Sequence, residues 1–495
     1  MKNQLAAFIN SILKVSVLTA SLLAVAFGQN NPVPEVVGPP HPQAVVPGND
    51  AFILTVYGAN FVPGAVVNWN RQARTTTYIS ARELQAQILA SDVATARAGY
   101  ITVTNPAPGG GESSSSWSLV EVHTPTATIV PAAPIEYDYD GIEPVNSLLV
   151  ADFNNDGIPD LAAGLDGGQI VVSLGDGNAT FSDPRNATDV YYSGLAGLIT
   201  TAFGDFNGDG NLDLAFAADF QVADGITGLA VSLGKGDGTF DAGWKYRNPP
   251  SGLVVDLVAG DFNRDGKLDI VGGDCCFNYV FLGNGNGTFR LSTTYQGEGG
   301  VNIVAGDFNG DGILDLAFFG DTVVGGQQEY PISIALGNGD GTFRPPVTIT
   351  TLYGGCGTGR LLIASDFNGD GNLDLAYCTD SSIGISLGNG DGTFREPAYF
   401  NVSSAVGEFS FAAGDFNSDG KTDLIVSETG VKDQFGILLG NGDGTFQPLT
   451  PVKIPGPFAS GELGIATGDF NSDGLLDFIF QLGGAGFNVY PQTEK

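Results

Sequence analysis

Asp152-Phe153-Asn154-Asn155-Asp156-Gly157-Ile158-Pro159-Asp160 is one of seven copies of a nine-residue pattern, Asp-Phe-Asn-x-Asp-Gly-x-x-Asp. The other copies begin at Asp205, Asp261, Asp307, Asp366, Asp415 and Asp469, so successive copies lie 46 to 59 residues apart. A period of about fifty residues marks one supersecondary unit repeated in a solenoid, propeller or array. Short apolar runs precede the copies, as in Leu148–Ala151, Ile303–Gly306 and Ser410–Gly414, and others follow, as in Leu161–Ala163, Leu316–Phe319 and Leu424–Ser427. Runs of that length between turn residues read as buried strands, so each copy is expected to join two antiparallel strands.

Oxygen-bearing side chains stand at positions 1, 3, 5 and 9 of the pattern, and the backbone carbonyl of position 7 is available beside them. In the first copy these are Asp152, Asn154, Asp156, Ile158 and Asp160. The second and third sets are Asp205, Asn207, Asp209, Asn211, Asp213 and Asp261, Asn263, Asp265, Lys267, Asp269. The fourth and fifth are Asp307, Asn309, Asp311, Ile313, Asp315 and Asp366, Asn368, Asp370, Asn372, Asp374. Asp415, Asn417, Asp419, Lys421, Asp423 and Asp469, Asn471, Asp473, Leu475, Asp477 complete them. A set of hard oxygens suits Ca²⁺, and up to seven ions are expected. Without a cation, each close pair of carboxylates would repel by roughly 4 kcal/mol at an effective dielectric near 20. Position 6 is glycine in every copy, where the chain must turn sharply and positive φ is easy only for glycine. Asp, Asn and Gly are also ordinary turn formers; seven complete sets go beyond what a turn needs. An EF-hand is excluded, because position 12 holds Ala163, Phe216, Gly272, Phe318, Tyr377, Val426 and Phe480 where a bidentate Glu is required.

A second signature, best written LGNGDGTF, ends at Phe181, Phe240, Phe289, Phe343, Phe394 and Phe446, 28 to 36 residues after the first aspartate of its copy. Its glycines suit a tight turn between two further strands. Each repeat then holds four strands, which is a β-propeller blade. Seven copies of the first pattern meet only six of the second, since the chain ends soon after Phe487–Tyr490. The missing strand is expected from Thr128–Tyr137, whose pattern matches the segments after each turn phenylalanine, and this would close the ring without an open edge.

The paired signatures resemble the FG-GAP or VCBS repeats of integrin α-subunit-type propellers over about residues 136–495. That resemblance implies an all-β, seven-bladed propeller with calcium loops on one face and ligands at the opposite face or rim. The Asn at position 3, where integrin copies often carry Asp, removes one negative charge per site. Blade one departs further, with Pro159 in the loop and Ala179 in place of a turn glycine.

Residues 32–123 lack the repeat and alternate in the manner of a small β-sandwich. Leu54–Phe61, Val66–Trp69 and Gly99–Pro106 resemble the IPT/TIG immunoglobulin-like domain. Residues 124–135 read as a semi-rigid linker leading into the closing strand. Residues 1–28 have a basic start and an apolar run, Val15–Phe27, with the form of a secretory signal. Export to the cell surface or medium is expected, with no membrane span after signal removal.

The net charge is −34, and 21 of the 54 acidic residues belong to the loops, so seven Ca²⁺ would bring the charge to −20. Such acidity leaves no electrostatic footprint for nucleic acid. Of four cysteines, Cys356 and Cys378 are placed to pair in an oxidising compartment, whereas Cys275 and Cys276 are open to a vicinal disulfide or two thiols. Both histidines, His41 and His123, lie outside the repeats, and no catalytic residue is assigned. The expected role is a non-catalytic binding or adhesion module for an extracellular protein or glycan. The alternatives are a lectin-like propeller and, further off, a polysaccharide-degrading enzyme. Tyr191, Tyr192, Trp244, Tyr246, Tyr279, Tyr295 and Tyr353 are the candidate ligand-face aromatics.

Overall fold

A computed structural model describes residues 30–493 apart from 114–117, 127, 139–144, 166–169, 187–200, 221–225, 248–255, 274–276, 297–300, 321, 325–326, 354–360, 403–408, 429–433, 455–463 and 483–485. The signal-like segment, Cys275, Cys276, Cys356, Tyr191 and Tyr192 lie outside the described residues. All regular structure described is β-strand, and no described helix is long and apolar enough to cross a membrane.

Each repeat folds as an antiparallel sheet in sequence order. In the third, Asp256–Gly260, Asp269–Gly273, Phe277–Gly283 and Phe289–Gln296 lie side by side. Seven such sheets carry the seven loops, the fourth enlarged by the extra strand Thr322–Val324. In every repeat the position-9 aspartate is the first residue of the second strand. At six of the seven junctions, including that between the last sheet and the first, the first strands of neighbouring sheets pack against one another. Seven apolar clusters fill the seven junctions between sheets, including that between the last and the first. This is a propeller-type arrangement, in which each sheet is too thin to have a core alone and buries its faces on both neighbours.

The last sheet takes its outer strand from the other end of the chain. Ile135–Asp138 pairs antiparallel with Gly486–Tyr490, Ile135 opposite Val489 and Asp138 opposite Gly486. Tyr137 stacks on Phe487 at 4.9 Å and its hydroxyl accepts the Phe181 amide of the first repeat at 2.7 Å. Tyr295 does the same for Phe343 between repeats three and four, at 2.6 Å. The borrowed strand therefore repeats a side-chain role found within the array.

Before the repeats, two sheets face each other. One contains Glu35–Val36, Phe52–Ala59, Glu83–Ile88 and Thr76–Ser80; the other is built on Arg97–Asn105, Ser118–Val122 and Val66–Trp69. Leu54, Val56, Val67, Trp69, Leu84 and Val103 are among the buried residues between them. Trp69 fits because residue 99 is glycine: a Cβ there would lie 2.1 Å from the indole ring.

Candidate functional site

Loop 1 shows how the nine-residue pattern folds. The Asp156 and Gly157 amides donate to Asp152 Oδ1 and Oδ2 at 3.0 and 2.9 Å. Asn154 Oδ1 accepts the Asp156 amide at 2.9 Å, and Asp156 Oδ1 accepts that of Ile158 at 2.8 Å. These short polar side chains turn the backbone around themselves. Gly157 has φ 86°, and all seven position-6 glycines share the left-handed conformation. Position 4 is left-handed as well, whether it holds Gly208, Asn155, Arg264 or Ser418. That second requirement was not recognised in the sequence, although three of the seven residues there are glycine.

The position-9 aspartate links the two signatures. Asp160 Oδ2 accepts the Phe153 amide at 2.8 Å and Oδ1 accepts that of Gly175, in the leucine-glycine turn, at 2.9 Å. Asp213, Asp269, Asp315, Asp374 and Asp423 make the corresponding bond to Gly234, Gly283, Gly337, Gly388 and Gly440. The seventh repeat has no such turn, and the amide of Gln492 donates to Asp477 instead, at 2.7 Å. In six of the seven repeats the phenylalanine of the pattern meets the turn phenylalanine of the next repeat, as Phe153 meets Phe240 and Phe470 meets Phe181 across the closure, while Phe416 of the sixth meets Phe478 instead. Gln492 serves the sixth junction too, donating to the Phe416 carbonyl at 3.2 Å. Nothing in the sequence pattern marked Gln492 for this work.

These carboxylates are poorly solvated. Burial pushes Asp160, Asp213, Asp315 and Asp374 up to about 7 and Asp423 to about 8, against the bonds they accept. Asp261 and Asp469 rise to about 6 for the same reason. Asp366 is the exception: burial is outweighed by the His41 ring, 3.3 Å away, and by the Gly371 amide, leaving it low. The donor chemistry fits a hard divalent cation. In loop 3, Asn263 Oδ1 and Asp265 Oδ1, the position-3 and position-5 oxygens, are buried with no hydrogen-bond partner. Among the described residues, though, no three His, Cys, Asp or Glu side chains converge as a metal cluster. The arrangement described is one in which position-1 and position-9 oxygens face backbone amides.

The N-terminal sandwich lies on the loop face. The Val33 amide donates to Asp261 Oδ2 at 2.9 Å, and the Ala98 amide to Asp469 Oδ2 at 3.0 Å. His41 and Arg82 meet loop 5, Arg82 through the Gly371 carbonyl. The Asn60 amide donates to the Gly312 carbonyl at 2.9 Å, and Glu121 bonds the Ser418 hydroxyl. A Cβ on Gly266, Gly312 or Gly474 would meet the sandwich at 2.4 to 2.7 Å, whereas one on Gly157, Gly210 or Gly420 would meet nothing within 4 Å. Six position-1 aspartates are buried, and Asp205 of loop 2 is not among them. A cavity of about 390 Å³ between Pro39, Pro40, Tyr100 and Glu121 of the sandwich and the inner strands marks the channel mouth.

The candidate aromatics divide. Tyr279 is wholly buried in the core between repeats two and three, so it packs and does not face a ligand. Tyr295 is engaged with Phe343, while Tyr353 is 73% exposed. Trp244 and Tyr246 lie on the outer strand Phe240–Arg247. Cys378 is disulfide-bonded. Gly384-Ile385-Ser386-Leu387-Gly388 spells a nucleophile-elbow pattern, but Ser386 is buried on the strand Ser382–Ser386, 3.2 Å from the Tyr377 hydroxyl, and not at a strand-to-helix turn.

The FG-GAP-like repeat family model matches residues 152–216, 217–272, 273–318, 366–426 and 429–480, and an FG-GAP repeat model matches 409–445. No curated protein matches in sequence. Similar solved structures include an Agrocybe aegerita lectin described by its recognition of non-reducing terminal N-acetylglucosamine, with 18% identity, 79% of this chain and 96% of that chain covered, and a TM-score of 0.45. A Bacillus licheniformis rhamnogalacturonan lyase shows 12% identity, 94% and 91% coverage and a TM-score of 0.44. For an auxiliary nutrient binding protein from Bacteroides ovatus the values are 11%, 93%, 98% and 0.40. At these identities the likenesses bring no ligand or reaction to this chain.

Proposed function

Since the chain belongs to the FG-GAP-like repeat family, we propose that it is an exported, non-catalytic binding module: a seven-bladed ring stiffened by Ca²⁺ and preceded by an IPT/TIG-like sandwich. The observation that carries this reading is the repeated set of buried carboxylates, most of them raised by burial, together with the orphaned oxygens of loop 3. In each loop the side chains at positions 1, 3, 5 and 9 and the carbonyl at position 7 would hold the ion. Bound Ca²⁺ supplies the positive charge that buried carboxylates lack, replacing their lost hydration. The chain's own residues do the rest. The position-9 carboxylate ties the loop to the leucine-glycine turn, and the phenylalanines lock each repeat to the next.

The ligand surface is then the face or rim away from the loops, because the sandwich occupies the loop side. A protein or glycan ligand suits the exposed Tyr353 and Tyr399, 73% and 52% exposed, whose rings can stack on a sugar or anchor a peptide. A glycan array run with the mature chain, with and without calcium, tests this. Binding that Tyr353→Ala weakens without change in calcium content is expected. Turnover of a polysaccharide dependent on one loop aspartate would contradict it.

A further inference from the structure

Loop 1 differs from the other loops in what sits on its first carboxylate. Arg71 Nη2 lies 2.6 Å from Asp152 Oδ2 and donates to Asn155 Oδ1 at 2.9 Å, while Nη1 reaches the Asn155 carbonyl at 3.4 Å. Among the described residues, no other position-1 aspartate is paired with an arginine or a lysine. Lys267 and Lys421 reach only the position-5 aspartates of their own loops, at 3.6 and 3.7 Å.

Arg71 is delivered by a tight hairpin. Trp69 pairs with Gln72, so Asn70 and Arg71 form a two-residue turn with φ 47° and 63°. Such turns favour Asn-Gly, because both residues must be left-handed. An arginine accepts that conformation less readily than glycine. Here its side chain spans the rim of loop 1, bridging position 1 to position 4. Loop 2 is the contrast. Asp205 accepts only the amides of Gly208, Asp209 and Gly210, and no described sandwich residue forms a hydrogen bond or ion pair with it.

We propose that Arg71 is the built-in counter-charge of loop 1, occupying the place of the divalent cation beside Asp152 so that loop 1 carries no ion while the sandwich is docked. A guanidinium and a divalent ion on one carboxylate would repel, so an ion can enter only if the hairpin tip leaves. Docking of the sandwich and metal loading of loop 1 are then mutually exclusive. This rests on the reading of the loops as calcium sites.

Equilibrium dialysis of the mature chain against Ca²⁺ tests it, comparing wild type with Arg71→Gln, Arg71→Lys and Asp209→Asn. Arg71 is 47% exposed, so its replacement leaves the core intact. Arg71→Gln should bind one more ion than wild type, Arg71→Lys the same number, and Asp209→Asn one fewer. Equal binding by wild type and Arg71→Gln would overturn the inference while the loss in Asp209→Asn upheld the loop reading. A gain in Arg71→Lys as large as in Arg71→Gln would also overturn it, since charge would not be the excluding factor. No binding by any of the four would overturn both.

Discussion

Loops 1 and 2 share the pattern Asp-Phe-Asn-x-Asp-Gly and the bonds donated by the amides of positions 5, 6 and 7, yet they live in different surroundings. Asp152 is buried under the sandwich and paired with Arg71, whereas Asp205 is half-buried and accepts hydrogen bonds only from its own loop. The difference shows that nine residues determine the local fold but not the electrostatics. The charged neighbours differ from loop to loop: Arg71, His41 and Arg82 come from the sandwich, while Lys267 and Lys421 belong to loops 3 and 6 themselves. Covered and bare loops should therefore respond differently to ions, truncation and pH.

The largest effect should come from separating the covering from the closure. A chain beginning at residue 125 loses the sandwich and makes every loop as bare as loop 2, but keeps Ile135–Asp138, and it should still melt cooperatively. A chain beginning at residue 141 also exposes the edge of Gly486–Tyr490, and calorimetry should show the cooperative transition lost. Similar melting of both would break the closure account.

Chelation comes next. At free calcium ten times Kd, each independent site contributes about 1.4 kcal/mol, so six or seven loops sum to about 8–10 kcal/mol. A melting temperature unmoved between EDTA and millimolar calcium would remove metal from the account. Within the sandwich, Arg74 grips Asp92 through two bonds of 2.7 and 2.8 Å, both side chains 9% exposed. Asp92→Ala should cost about 3–5 kcal/mol, as expected for a broken buried pair. Hydrogen exchange at the covered loops should then rise toward that of loop 2.

The smallest effect concerns Glu121, which burial, and then Asp415, raises well above the usual carboxylate range; Asp423 and Asp469 also face it, and only the Ser418 hydroxyl opposes them. A carboxyl raised in the folded state contributes stability that is fully present below its unfolded value of about 4.3 and is lost as pH rises through the folded value. In chelator, Glu121→Gln should leave the melting temperature unchanged at pH 4 and raise it at pH 8. Parallel pH profiles for both proteins would show that Glu121 is not the group responsible.

Much of the ring was legible because its determinants are local and repeated. The strand starts, the left-handed glycines at position 6 and the need for a strand from Thr128–Tyr137 all follow from spacing. Gln492 was not legible, since one amide and one side chain replace an entire turn by position alone. Arg71 was equally hidden: nothing near residue 71 announces a partner 81 residues away at Asp152. Tyr279 misled because an aromatic in a variable segment reads the same whether it packs inward or faces a ligand. The placing of the sandwich on the loop face depends on contacts scattered from Val33 to Glu121, and no periodic signal records them.

The central claim is that the loops are cation sites whose occupancy depends on what covers them, and anomalous scattering from crystals of the mature chain grown with Tb³⁺ in place of Ca²⁺ tests it most directly. The account predicts a peak in loop 2 among the oxygens of Asp205, Asn207, Asp209 and Asp213, and none beside Asp152 where Arg71 sits. A peak in loop 1 with Arg71 still in place, or no peak in any loop, would contradict it.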